Sequence, residues 1–207
     1  MHDSTTTNIK RKRQARGQAQ IKNLLEAAEV VFARDGYHGA TTNEISATAG
    51  VSPATLYQFF LNKDEIANTL TLSYADQLAL LHEAMDFKSF ARMDLTSMVS
   101  AITDPLLNFH KTHPAFLTLL LDAPLPKETR DAKHAITVKF CGRLSAMFRL
   151  HDPTIDVADA DWAAQVCMIV FKGFITEVIS SEGKKKQRLI AEFKALLVSR
   201  LDRLFDS

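Results

Sequence analysis

The 207-residue chain has only two cysteines, Cys141 and Cys167, far apart and outside any CxxC or Cys/His spacing. That excludes a disulfide scaffold and a zinc ribbon, and it suits a reducing cytoplasm. An excess of one charge is also missing: 25 Lys+Arg stand against 24 Asp+Glu, a formal net charge of +1. The overall balance therefore argues neither for nor against a nucleic-acid partner. No run approaches the ~18 uninterrupted apolar residues that span a bilayer. The polar, basic segment from Met1 to Gln20 lacks the apolar core of a secretory signal. The chain reads as soluble and cytoplasmic. P-loop, GxSxG, HExxH and Rossmann glycine patterns are absent as well. The expectation is a protein that is not an enzyme and holds no cofactor. The pairs Asp152/Asp156 and Asp159/Asp161 read as loop and helix-cap chemistry.

What the chain does have is helical periodicity. With 46% hydrophobic residues it can bury a sizeable core. Residues 1–16 are polar, then basic, and read as a flexible arm in which Lys10, Arg11, Lys12, Arg13 and Arg16 have no acidic neighbour. From Ile21, the residues Leu24, Leu25, Ala28, Val31 and Phe32 recur at three- and four-residue spacing on one face. Gly36 can end that helix in the left-handed conformation. Thr41 and Glu44 have capping-box spacing for a short second helix that Gly50 breaks. Ser52 and Pro53 supply an N-cap and a first helical position for a third, which runs to about Phe60. Asn62 and Glu65 open a long helix from Lys63 to about Met85. Further helices are expected over 94–111, with a kink at Pro105, and over 114–121, 127–150, 159–180 and 184–205. No strands are expected, so the fold class is all-α with about nine helices.

The informative string is Thr41 to Lys63, TTNEISATAGVSPATLYQFFLNK. It reads as helix, glycine turn, helix. Gly50 supplies the turn, while Ile45, Val51, Leu56 and Phe60 lock the two helices at a steep angle. The second helix is then free to present its N-terminal residues to a major groove. Together with Phe32-Ala-Arg-Asp-Gly-Tyr37 before it, this string resembles the DNA-binding segment of the TetR/AcrR family of transcriptional regulators, over roughly residues 20–66. The resemblance implies a DNA-binding domain over 17–62 and a ligand-binding and dimerisation domain over 63–207. It implies that Thr42, Tyr57 and Lys63 contact phosphates. It also implies that Asn43, Ser52, Pro53, Ala54 and Thr55 face the groove. The family often has His or Tyr where this chain has Phe59, which instead touches a thymine methyl or packs. Base reading then rests on Asn43, Thr55 and Gln58.

The resemblance further implies a homodimer through helices 159–180 and 184–205, a pseudo-palindromic operator, and release by a small-molecule inducer. The sequence permits the dimer independently, because helix 159–180 is apolar over more than one face. Candidate liners of an apolar pocket are Met85, Phe109, His110, Phe116, Met147, Phe148, Trp162, Met168 and Phe171. A metal at His110 and His113, joined by Asp122, His134 or Cys141, is not expected, since no fixed ligand set is visible and Pro114 marks a helix boundary. A second basic run, Lys184, Lys185, Lys186 and Arg188, reads as a phosphate-binding cluster or a solvated helix end. Two other readings of the whole chain are a helical protein-interaction adaptor and a transcriptional activator with the same fold.

Overall fold

The computed structural model describes residues 3–206, with side chains from Gln14 onward. The described residues form ten helices: α1 (Asp3–Gly39), α2 (Thr42–Thr48), α3 (Pro53–Tyr57), α4 (Lys63–Ala84), α5 (Phe87–Phe90), α6 (Leu95–Thr112), α7 (Ala115–Asp122), α8 (Lys127–His151), α9 (Val157–Ile179) and α10 (Gly183–Phe205). The segment expected as an arm is already helical from Asp3, and the side chains of Lys10, Arg11, Lys12 and Arg13 lie outside the described residues. The extra helix is α5, capped by the Asp86 carboxylate, which accepts from the Ser89 N–H at 3.2 Å. α6 runs on through Pro105.

The chain divides into two compact units. The first runs to Ser73 and takes in Pro114–Pro126, so α7 joins this unit. Leu24, Ala28, Val31 and Phe32 of α1 are fully buried, as are Ile45, Leu56 and Ile66. The α1 positions are those whose spacing placed them on one face, and Ile45 and Leu56 are two of the expected lock. α7 packs against α1, burying Phe116 and Leu119. Gly36 stands at φ 71°, where a Cβ is strained, and it breaks α1 before Tyr37.

The second unit comprises Tyr74–His113 and the chain from Lys127 onward. α9 packs against α8 and α10, and α10 also packs against α6. Fully buried Ala160, Ala163 and Ala164 let α9 approach its neighbours closely. Phe193, Leu197, Leu201 and Leu204 of α10 are buried within the same chain. The final turn of α4 is held by Arg143 of α8. Its guanidinium donates to the carbonyls of His82 and Met85, the latter at 2.9 Å, and lies 4.5 Å from the centre of the Phe87 ring. These donors satisfy carbonyls that a helix end otherwise leaves unpaired. The His82 ring stacks on Phe140 at 3.9 Å. Burial, and then the Arg143 charge, push the His82 pKa down to about 4.

Candidate nucleic-acid interface

The candidate interface is built by two capped helix starts in the first unit. Thr41 accepts from the Glu44 N–H at 3.2 Å and donates to the Glu44 carboxylate at 3.0 Å. The first bond is the cap its spacing predicted, while the Glu44 carboxylate takes the Thr41 hydroxyl in place of the backbone N–H of a full capping box. Gly50, at φ 67°, makes the turn. Ser52 then caps α3, accepting from the Thr55 N–H at 3.1 Å, with Pro53 in the first turn. Because Leu56 alone is buried in α3, its start projects outward: Ser52, Pro53, Ala54, Tyr57 and Gln58 are exposed, and Thr55 is half-buried with its hydroxyl 2.9 Å from that of Ser52. Asn43 is exposed at the start of α2.

The Tyr57 hydroxyl lies 3.0 Å from that of Thr42, so the helices α2 and α3 meet in a pair of exposed hydroxyls. Of two hydroxyls linked in this way, the one that accepts keeps its own O–H free to donate to a phosphate oxygen. Phe59 is half-buried, its ring 4.0 Å from where a Cβ on Gly17 would stand, so it faces α1. The Lys63 ammonium is also engaged inside the unit. It donates to the carbonyl of Tyr37 at 2.8 Å and of His38 at 3.5 Å, and it stands over the Tyr37 ring. The Tyr37 hydroxyl donates to Asp64, and burial followed by that carboxylate raises its pKa to about 12. Lys63 and Asp64 thus fasten the first turn of α4 to the end of α1. That fastening is not legible in the sequence, because it depends on the break at Gly36.

The second unit holds an apolar cavity of about 40 Å³ between α6, α8, α9 and α10. Val99, Ile102, Thr103, Leu106, Phe140, Leu144, Phe148, Cys167, Met168, Phe171, Leu197 and Leu201 line it. Of the residues expected to line a pocket, Phe148, Met168 and Phe171 come together here. Met85 and Met147 are buried but do not line it. His110 packs beside it, facing the lining residue Phe171 at 5.9 Å, whereas Phe109 faces His113 at 4.6 Å. Burial, then the nearby His113, lower the His110 pKa to about 4. Phe116 belongs to the core of the first unit, and Trp162 is 60% exposed. Reasoning from aromatics misses the aliphatic wall supplied by α6. Among the described residues no group of three or more His, Cys, Asp or Glu side chains is placed to hold a metal ion.

Residues 24–70 match the domain described as bacterial regulatory proteins of the tetR family, and residues 94–201 match the tetracyclin repressor-like C-terminal domain. The chain belongs to the TetR family. Both matched domains are domains of bacterial regulatory proteins. Over 82 residues it is 37% identical to the HTH-type transcriptional activator FasR of Mycolicibacterium smegmatis, covering 39% of this chain and 37% of that one. Over 124 residues it is 28% identical to the HTH-type transcriptional repressor SCO4008 of Streptomyces coelicolor, covering 56% and 59%. The chain spans about half the length, or less, of the first curated relatives it matches. The TetR-family regulator PfmR of Thermus thermophilus shares the fold at a TM-score of 0.63 and 18% identity, over 89% of this chain and 97% of that one. The curated relatives thus include both an activator and a repressor.

Proposed function

We propose that this TetR-family chain is a cytoplasmic repressor that binds a pseudo-palindromic operator as a homodimer and is released by a small, mainly apolar ligand. The observation that carries the DNA reading is the exposed start of α3, aligned with the Thr42–Tyr57 hydroxyl pair. Asn43, Thr55 and Gln58 read bases, and Ser52, Pro53 and Ala54 set how closely the helix enters the groove. Phosphates are met by Thr42 and Tyr57, with Lys63 adding its charge. Dimerisation is supported by α9, a long apolar helix of which only about a third of the most apolar stretch is buried in one chain. Trp162 and Ile169 on α9 and Leu196 on α10 stand exposed. A second copy covers these side chains and sets the two recognition helices about one DNA turn apart.

The ligand reading rests on the cavity. Its walls are almost entirely apolar, and at about 40 Å³ it is far below the several hundred Å³ that a drug-sized ligand fills. Ligand entry into this cavity must therefore displace side chains, whereas a groove between α8 and α9, also lined by Met168, offers about 550 Å³. Phe140 is one of the cavity walls, and its ring also stacks on His82 at the end of α4. A ligand that moves Phe140 acts on the helix whose first turn is fastened to the DNA-binding unit. It releases DNA only to the extent that it favours the DNA-incompetent state.

The deciding experiment titrates salt against binding to DNA from the gene's own promoter region, with random duplex as control. A repressor holds its promoter at least ~10³-fold more tightly than random DNA. Equal, weak binding to both sinks the operator reading and leaves the adaptor. A reporter that falls silent on deletion of the gene identifies an activator instead.

A further inference from the structure

The start of α10 carries a charge arrangement that does not serve the helix itself. Lys184, Lys185 and Lys186 occupy its first turn, which contains no acidic residue. A helix N-terminus has positive dipole character, so cations there are unfavourable. The preceding Glu182 makes no side-chain capping bond. Lys185 lies 4.0 Å from Glu177, while Lys184, Lys186 and Arg188 form no ion pair among the described residues. Lys186 is half-buried. It lines a groove of about 220 Å³ with Lys111 of α6, Ile175, Val178 and Ile190. The acid in that groove, Asp104, is already taken by Lys194 at 2.6 Å.

All of this lies at one end of the second unit. The groove joins the last part of α6, the last turn of α9 and the first turns of α10. Beyond it α6 ends at His113, whose ring stands 4.9 Å from that of Tyr74, where α4 enters the unit. The opposite end is marked by His151 and Phe205, 4.6 Å apart, and by Ala91, whose carbonyl lies 2.9 Å from His151 Nδ1. The basic run therefore sits at the end of the second unit that also holds Tyr74 and His113.

We propose that Lys184, Lys185, Lys186 and Arg188, with Lys111 across the groove, form a second, sequence-independent contact with duplex DNA phosphates. The inference rests on the DNA-binding reading above. α10 rises about 6 Å from Lys184 to Arg188. Over that distance a duplex presents about three or four phosphates. Two copies in a dimer double the contact. Its role is to add affinity and salt sensitivity without adding base readout.

The test measures binding of the full chain to a random-sequence duplex of about 30 base pairs, by fluorescence anisotropy over a range of salt. Two variants remove the same number of cations. One is K184Q/K185Q/K186Q/R188Q; the other is K88Q/R92Q/R149Q/R203Q, at the opposite end of the unit. Each lost phosphate contact lowers the slope of log affinity against log salt by about 0.9. The first variant is expected to lower that slope by about two or more and to weaken binding at least ~10-fold at ~0.1 M salt. The second should stay within about twofold of wild type, because charges beyond a Debye length are screened. Thermal unfolding verifies that both variants are folded; removing lysines from the first turn of α10 should not lower stability. An unchanged slope in the first variant refutes the proposal, and so does an equal drop in both, which would reflect net charge alone. Wild-type chain that binds no duplex at all overturns the DNA-binding reading itself, a result distinct from either of these.

Discussion

Stability of the second unit should fall steeply with acid, and two histidines should account for much of the fall. His82 and His110 are each 7% exposed, and each is held neutral with a pKa of about 4. Unfolded, each returns to about 6.5. A folded pKa below the unfolded one means that, between the two values, the unfolded chain binds more protons. The stability that each neutral ring contributes is therefore complete above about pH 6.5 and is lost as pH falls toward 4. Linkage puts the loss at about 2 kcal/mol per histidine between roughly pH 7.5 and 5, as an upper bound. H82F/H110F keeps the ring stacking on Phe140 and Phe171 but removes both protonation sites. Urea unfolding at the two pH values should show the variant losing about 2–4 kcal/mol less than wild type. Equal losses in wild type and variant would falsify the assignment of this acid sensitivity to the two buried rings.

Tyr57→Phe should weaken operator binding roughly tenfold, the value of one phosphate hydrogen bond, with thermal stability nearly unchanged because the Thr42 pair is exposed. Unchanged affinity would leave Tyr57 as a surface residue without a DNA role. Val99→Leu adds a methylene to the wall of the cavity and should stabilise the chain by up to about 1 kcal/mol while reducing release by ligand; a loss of stability would mean that the cavity has no usable space. W162E/I169E should turn a dimer into a folded monomer by sedimentation, whereas an unaltered dimer would move the interface off α9. Leu56→Ala should cost about 2–5 kcal/mol in the first unit, and a loss below ~1 kcal/mol would contradict its place in the helix-turn-helix lock.

The helix-turn-helix is legible in the sequence because its determinants are local. A cap, a glycine and a proline act within a few residues, so Thr41, Gly50, Ser52 and Pro53 mark the elements before any packing is known. Helix α5 escapes such a reading because it has only four residues and one cap, too few for any periodicity to show. The cavity is only partly legible because its walls come from four helices whose rotation about their axes depends on long-range packing. Lone aromatics mislead there. Trp162 has the character of a pocket residue and is exposed, while Phe116 packs in the other unit. The leucine stripe of α10 also suggests a face free for a partner. Packing against α6 and α9 consumes most of it, leaving Leu196 exposed.

The two ends of α4 are fastened by chemistry of different kinds. At its start, Lys63 donates to backbone carbonyls of Tyr37 and His38, and Asp64 accepts from the Tyr37 hydroxyl. At its finish, Arg143 holds the carbonyls of His82 and Met85. Neither fastening involves the interior of the helix, and one lies in each unit. Both fastenings are charge-assisted, which makes them directional and costly to break. A displaced Phe140 meets His82 and, one turn along α8, Arg143. The cavity wall and the clasp therefore sit on the same face of the same helix. An Arg143→Gln variant separates two roles that wild type combines. It should retain the cavity and its ligand affinity, yet lose most of the coupling to DNA, because the end of α4 no longer follows α8. If ligand still releases DNA from R143Q as effectively as from wild type, the signal does not pass through the clasp, and the stacked His82 ring is the remaining route.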